Sequence, residues 1–126
     1  MRVVDTSVWI EWIQGSPLGE RLAPELPRNG DWIVPTIVQY ELARWVAREL
    51  SDGAASRLMA FTTELVVIPL TTDLATRAAE YAVLHKLAMA DSIIYTTAMD
   101  SRADLLTCDA HFDKLPQVVY LAKHPQ

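Results

Sequence analysis

The sequence contains a single cysteine, Cys108, among 126 residues. An internal disulfide and a thiolate metal cluster are both excluded, so any metal must be held mainly by oxygen. No apolar run approaches the roughly 20 residues that a membrane-spanning helix needs. The opening Met-Arg-Val-Val-Asp-Thr-Ser also lacks the basic-then-apolar layout of a secretory signal, and a cytoplasmic location is expected. No internal repeat, low-complexity tract or linker interrupts the chain. Positive charge is scarce as well: 11 Lys and Arg stand against 16 Asp and Glu, a net charge of −5. That balance gives no global attraction to nucleic acid. It leaves one class open, a nuclease whose divalent cations reverse the local sign while a few arginines guide the backbone.

Apolar residues, at 51% of the chain, are plentiful enough for one core, and 21% charged residues argue against disorder. The length fits one domain spanning residues 1–126. Short β-branched runs alternate with helix-patterned stretches. Strands are predicted at Arg2–Val4, Trp32–Val34 (closed by Pro35), Val66–Ile68, Asp104–Thr107 and Val118–Leu121. Helices are predicted at Ser7–Gln14, from Ser16-Pro17, at Thr36–Leu50, Asp52–Glu64, Thr72–Leu87 and Ala90–Ser101, with a short helical turn at Ala110–Leu115. Gly15 ends the first helix, and Ser16 caps the second with Pro17 in its first position. In the Thr72–Leu87 helix, Leu74, Ala75, Ala78, Ala79 and Ala82 make a small-residue stripe suited to close packing. This alternation implies an α/β fold: a central, mostly parallel sheet of four to five strands with helices on both faces. Such sheets bind ligands at the carboxyl ends of their strands.

Four of the 16 acids are placed unusually. Asp5 ends the first strand and Asp109 lies just beyond the strand Asp104–Thr107. Each could simply cap the helix that follows it. Glu41 falls between Ile37 and Trp45 and beside Val38 and Leu42, on the helix face expected to point into the core, where a carboxylate is costly unless paired or metal-bound. Asp91 is surrounded on one face by Leu87, Ile94, Tyr95 and Ala98; a place near a helix N-terminus would explain Asp91 alone but does nothing for Glu41. Converging carboxylates raise one another's pKa unless a cation sits among them. Oxygen ligands without a close histidine pair favour Mg²⁺ or Mn²⁺, and hydrolysis at a phosphodiester is the chemistry such ions support best.

The segments Val3 to Trp9 (VVDTSVW), Pro35 to Leu42 (PTIVQYEL), Ala90 to Ala98 (ADSIIYTTA) and Leu105 to Asp113 (LLTCDAHFD) resemble the PIN-domain ribonucleases. The similarity is greatest to the VapC-like toxins of bacterial and archaeal toxin–antitoxin modules. The resemblance covers nearly the whole chain, with all four acidic motifs in family order. It implies a Mg²⁺- or Mn²⁺-dependent endoribonuclease, frequently a homodimer, that acts on RNA and is silenced by a cognate antitoxin. By the same resemblance Asp5, Glu41 and Asp91 match the three acids that hold metal, and Asp109 the more variable fourth. Thr6 or Ser7, and Thr107, match supporting hydroxyl positions. Many relatives carry a further acid in an Asp-Phe pair; here the order is His111-Phe112-Asp113, which ranks Asp113 as a solvated residue.

Other residues have plainer explanations beside the functional ones. Trp9, Trp12, Trp45 and Tyr40 could form an apolar surface for a second copy or an antitoxin helix; core packing is the commoner fate of Trp9 and Trp45, and Trp12 is the better interface candidate. Arg44 and Arg48 could contact RNA phosphates or acidic residues of a partner, or be the solvated side of their helix. His85, His111 and His124 show no ligand spacing, and only His111 lies near a candidate acid. Cys108 fits a small buried side chain. A haloacid-dehalogenase-like phosphatase would need a second acid where Ser7 stands, and a response-regulator receiver an acidic pair at the first strand. A non-catalytic PIN-like binding module is the remaining alternative, against which stands the acidic character of all four positions.

Overall fold

The computed structural model describes residues 1–123, so His124 lies outside the described residues. Five strands form one sheet: β1 (Arg2–Val4), β2 (Trp32–Pro35), β3 (Val66–Ile68), β4 (Asp104–Thr107) and β5 (Val118–Tyr120). Six helices accompany them: α1 (Thr6–Gln14), α2 (Pro17–Leu22), α3 (Thr36–Glu49), α4 (Asp52–Thr63), α5 (Thr72–His85) and α6 (Met89–Asp100). The strand order is β3-β2-β1-β4-β5, and every neighbouring pair is parallel. Successive strand residues point to opposite faces. The adjacent pairs Val3 and Val4, Ile33 and Val34, and Leu105 and Leu106 are all fully buried, so both faces of the sheet are covered. That explains why these strands read as continuous apolar runs rather than alternating ones.

The chain leaves β1 toward β2 and β3 on one side, then returns to β4 and β5 on the other. The reversal creates a crevice at the carboxyl ends of β1 and β4. Three β1–β4 register pairs, Arg2 with Asp104, Val3 with Leu105 and Val4 with Leu106, bring Asp5 and Thr107 to that edge together. At the opposite edge the Arg2 guanidinium grips Asp104 through two hydrogen bonds of 2.8 and 2.9 Å and also reaches Glu25. This fork fixes the relative height of β1 and β4.

Most helix boundaries lie within one or two residues of the sequence expectation, the usual uncertainty of helix ends. Gly15 adopts a left-handed conformation (φ 64°) and stops α1, and the Ser16 hydroxyl accepts from the Gly19 N–H to start α2. Lys86 adopts a left-handed conformation at φ 55° and ends α5 at His85, short of the expected Leu87. Ala110–Leu115 is shorter than expected too, a single 3-10 turn over Ala110–Phe112.

Three of the four tryptophans form an internal cluster, whereas Trp45 of α3 is half-buried and lines a groove beside Tyr40 instead of the core expected for it. Trp9 and Trp12 of α1, Trp32 of β2 and Phe61 of α4 meet with ring centroids 4.7 Å (Trp9–Trp32) to 6.2 Å (Trp12–Phe61) apart, the offset and edge-on spacings aromatic rings prefer. Trp12 packs into this cluster and stays half-buried, because the i, i+3 spacing from Trp9 places both rings on one stripe facing Trp32. The apolar surface lies elsewhere. Val83, Leu84 and Met89 are exposed around the end of α5 and the start of α6, and Leu70 just ahead of α5; Leu70 and Met89 flank the alanine stripe, in which Ala75 and Ala79 are exposed.

Candidate active site

Asp5 follows β1 in the position before α1, yet its side chain makes no capping bond to that helix. Its carboxylate instead accepts from Ser7 Oγ at 2.6 Å and from Thr107 Oγ1 at 2.9 Å. The backbone N–H of Asp5 is used by the Leu106 carbonyl at 2.9 Å. Asp5 is thereby locked across the β1–β4 edge. Only 4% of it is exposed. Thr107 Oγ1 also accepts from the Asp109 N–H, 3.0 Å, and Ser7 Oγ accepts from the Cys108 N–H, 3.3 Å. The two hydroxyls thus tie the end of β4 to the segment that follows β1.

Asp109 does cap the short turn that follows it, accepting from the His111 N–H at 2.9 Å. The same turn folds the His111 ring back, so that its Nδ1 lies 3.1 Å from Asp109 Oδ1 and 3.8 Å from Asp91 Oδ2. Asp91 stands in the first turn of α6, ahead of the buried run Ser92 to Ala98, and its side chain is 20% exposed. Donor atoms of Asp91, Asp109 and His111 all lie within 4.8 Å of one another, a spacing at which one metal ion could be held. Asp5 and Glu41 stand outside that tight trio.

Glu41 is half-buried, not in the core as its helical phase suggested. The core stripe of α3 is Val38, Leu42 and Val46, and Glu41 sits about 60° from Val38 around the helix, at 100° per residue. It therefore reaches the rim of the crevice, where its Oε1 accepts from Thr6 Oγ1 at 2.8 Å. Thr6 supports Glu41; Ser7 supports Asp5.

Sequence comparison gives this arrangement its family. The sequence model of the PIN domain matches residues 2–118. The chain belongs to the PIN-domain family. It is 30% identical to Ribonuclease VapC19 of Mycobacterium tuberculosis, over 94% of this chain and 97% of that protein. Among solved structures, a toxin–antitoxin complex from Klebsiella pneumoniae superposes with a TM-score of 0.81 at 22% identity, covering 94% of this chain and 96% of the other. VapC20 of M. tuberculosis, described as a sarcin-ricin loop cleaving toxin, gives a TM-score of 0.67 at 22% identity over 83% of this chain and 87% of its own.

In this PIN domain the acids act on one another. Burial raises the Asp5 carboxyl to about 6, against bonds from Ser7 and Thr107 that favour the charged form, and the charges of Asp91 and Asp109 push it further. Asp91 is likewise raised to about 6, first by burial, then by Asp109 and Glu41, with His111 opposing. Asp5, Asp91, Asp109 and Glu41 are thus linked electrostatically although they do not all touch. Because the folded protein keeps protons that the unfolded chain releases between about pH 4 and 6, the stability of the metal-free protein falls as pH rises through that window. Lowering the pH from 7.5 to 5.5 in chelator should favour folding by about 1 kcal/mol through Asp5 and by less through the partly exposed Asp91. Thermal melts of wild type and Asp91→Asn at both pH values check this: the variant should gain less on acidification, and equal gains would remove the coupling.

Sequence reasoning missed the approach of His111 to Asp91. The only local signal was its place two residues after Asp109, and no linear spacing relates it to α6. Asp113 is exposed, as expected of a solvated residue. Cys108 is buried, with its thiol pushed up by burial, and His85 stacks on Tyr81 against Tyr95, away from the acids. No helix among the described residues is long and apolar enough to cross a membrane.

Proposed function

We propose that this PIN domain is a metal-dependent endoribonuclease, the toxin of a toxin–antitoxin module, whose site comprises Asp5, Glu41, Asp91 and Asp109 with Thr6, Ser7 and Thr107 in support. The observation that carries the reading is geometric: donor atoms of Asp91, Asp109 and His111 lie within 4.8 Å of one another at the sheet edge where Ser7 and Thr107 hold the Asp5 carboxylate. Such a donor set is unfavourable alone and favourable around a divalent ion. The donors fit Mg²⁺ or Mn²⁺: Asp91 and Asp109 offer carboxylate oxygens within one ion's reach, with a His111 nitrogen beside them. When bound, a divalent cation there supplies Lewis acidity for hydrolysis at phosphorus.

The chain's own groups have separable tasks. Ser7 and Thr107 donate to Asp5, fix its carboxylate at the β1–β4 edge and partly offset the rise in its pKa that burial causes. Thr6 orients Glu41 at the rim. Asp109, fixed by the 3-10 turn, keeps His111 next to Asp91. The relatives named as ribonucleases and as a toxin–antitoxin complex favour an RNA substrate and an antitoxin protein as partner; a cytoplasmic location accords with both.

Incubating purified protein with a panel of structured RNAs in Mn²⁺ or Mg²⁺, with and without chelator, tests the activity. Cutting that needs the metal is expected. Tight metal binding with no cutting of any RNA would favour the non-catalytic binding module instead. Self-association belongs to the same reading, on the apolar groove that Leu70 and Met89 flank along the alanine stripe of α5. Sedimentation at micromolar concentration should give the mass of two chains, and a monomer would remove the homodimer from the account.

A further inference from the structure

A second feature adjoins the acids without belonging to them. A groove of about 270 Å³ opens between α1 and α3, bounded by Ile10, Tyr40, Arg44, Trp45 and Arg48, and it shares Thr6 and Glu41 with the crevice. Its volume is just below the range of small-molecule sites, which suits one mononucleotide-sized group better than an extended chain segment. Tyr40 is 56% exposed at the mouth of this groove. The Arg44 guanidinium lies over that ring, 5.9 Å from its centroid. Arg2 and Arg77 are neutralised by carboxylates, whereas Arg44 and Arg48 are exposed and have no ion-pair partner among the described residues.

We infer that this groove is a subsite for one unpaired nucleotide of the RNA, its base stacked on Tyr40 beside Trp45 and its phosphate held by Arg44 and Arg48. The inference rests on the ribonuclease reading and adds to it a set of specificity-determining residues. Stacking on an aromatic ring or a guanidinium plane is how unpaired bases are commonly gripped. In a chain of net charge −5, phosphate attraction must come from a local pair of cations, and Arg44 and Arg48, one helical turn apart, supply it next to Glu41. The Thr6–Glu41 bond joins groove and acid centre, so a strand lying across the acids enters the groove with the neighbouring nucleotide. The small volume of the groove and its continuity with the acids through Glu41 favour a single nucleotide over a protein segment.

Anisotropy of fluorescein-labelled eight-nucleotide oligo(U), oligo(C) and oligo(A) RNAs tests the inference in the Asp91→Asn background, which keeps the strands intact. Tyr40→Ala should weaken binding about 5- to 150-fold, and Tyr40→Phe should restore it to within about twofold. Arg44→Ala combined with Arg48→Ala should make the salt dependence of binding shallower by about 1.4 in log–log slope, the signature of a lost phosphate contact pair on a single strand. Melting temperatures should be unchanged, since these side chains are exposed. In the otherwise wild-type enzyme, Tyr40→Ala should raise KM for RNA more than it lowers kcat. RNA binding that is absent, or equal in wild type and variants, would overturn the subsite, and variants impaired only toward an antitoxin would reassign the groove to the protein partner. If the variants behave as expected but the wild type cuts no RNA, the nuclease reading fails and the subsite stands. If the wild type cuts and the variants bind and cut unchanged, the reverse holds.

Discussion

Asp91→Asn is expected to slow RNA cleavage by about a thousandfold or more, a loss of roughly 4 kcal/mol of transition-state stabilisation at 1.36 kcal/mol per tenfold. Asparagine keeps the size and one acceptor oxygen of Asp91 but removes the charge that a divalent ion needs from the centre of the trio Asp91, Asp109 and His111. The backbone has no reason to move, because Asp91 sits in the first turn of α6 ahead of a fully buried stretch that anchors the helix. In chelator the same substitution should stabilise the fold, since it removes a carboxyl that burial and two neighbouring acids hold at about 6. Loss of cleavage together with a gain in metal-free stability distinguishes a site residue from a structural one. A variant that lost both activity and stability would make Asp91 structural; one that kept its activity would displace it from the site.

Trp9→Ala is expected to destabilise the protein by about 3–5 kcal/mol, the usual range for emptying a large aromatic site in a core. Trp9 has no exposed surface, and it touches Trp12, Trp32 and Phe61 at once, so its removal opens a cavity that three rings cannot all relax to fill. Its indole N–H is buried with no hydrogen-bond partner among the described residues. The stabilisation is therefore apolar packing, and Trp9→Phe should retain more than half of it. Urea unfolding of the three proteins checks this ordering. An alanine variant within about 1 kcal/mol of wild type would mean the cluster is not the anchor of α1.

Much of this architecture was legible in local sequence. Short valine- and isoleucine-rich runs bounded by turn residues located four strands, the Leu105-Leu106 pair located β4, and Gly15 and Ser16-Pro17 marked the break between α1 and α2. The strand order was not legible, because parallel neighbours such as β1 and β4 are about 100 residues apart and no local pattern encodes their pairing. Asp5 and Asp109 could be placed at one edge only by supposing that their strands were neighbours. Glu41 drew notice for a partly mistaken reason: periodicity put it among core residues, whereas the true core stripe is offset by one position and leaves it on the rim. The same limit applied to Trp12, whose burial depends on Trp32 and Phe61 arriving from other elements. His111 joins Asp91 through a tertiary contact that spacing alone does not encode.

In the proposed function these acids hold a divalent ion that the cleavage of RNA requires. This requirement is tested most directly by measuring single-turnover cleavage of one susceptible RNA as Mn²⁺ is titrated into metal-stripped wild type, with Asp91→Asn alongside. No cutting is expected without the ion, with a saturating rise in rate as it is added, reversal by chelator, and no rise in the variant. Cleavage that persists in chelator, or that rises equally in wild type and Asp91→Asn, would contradict it.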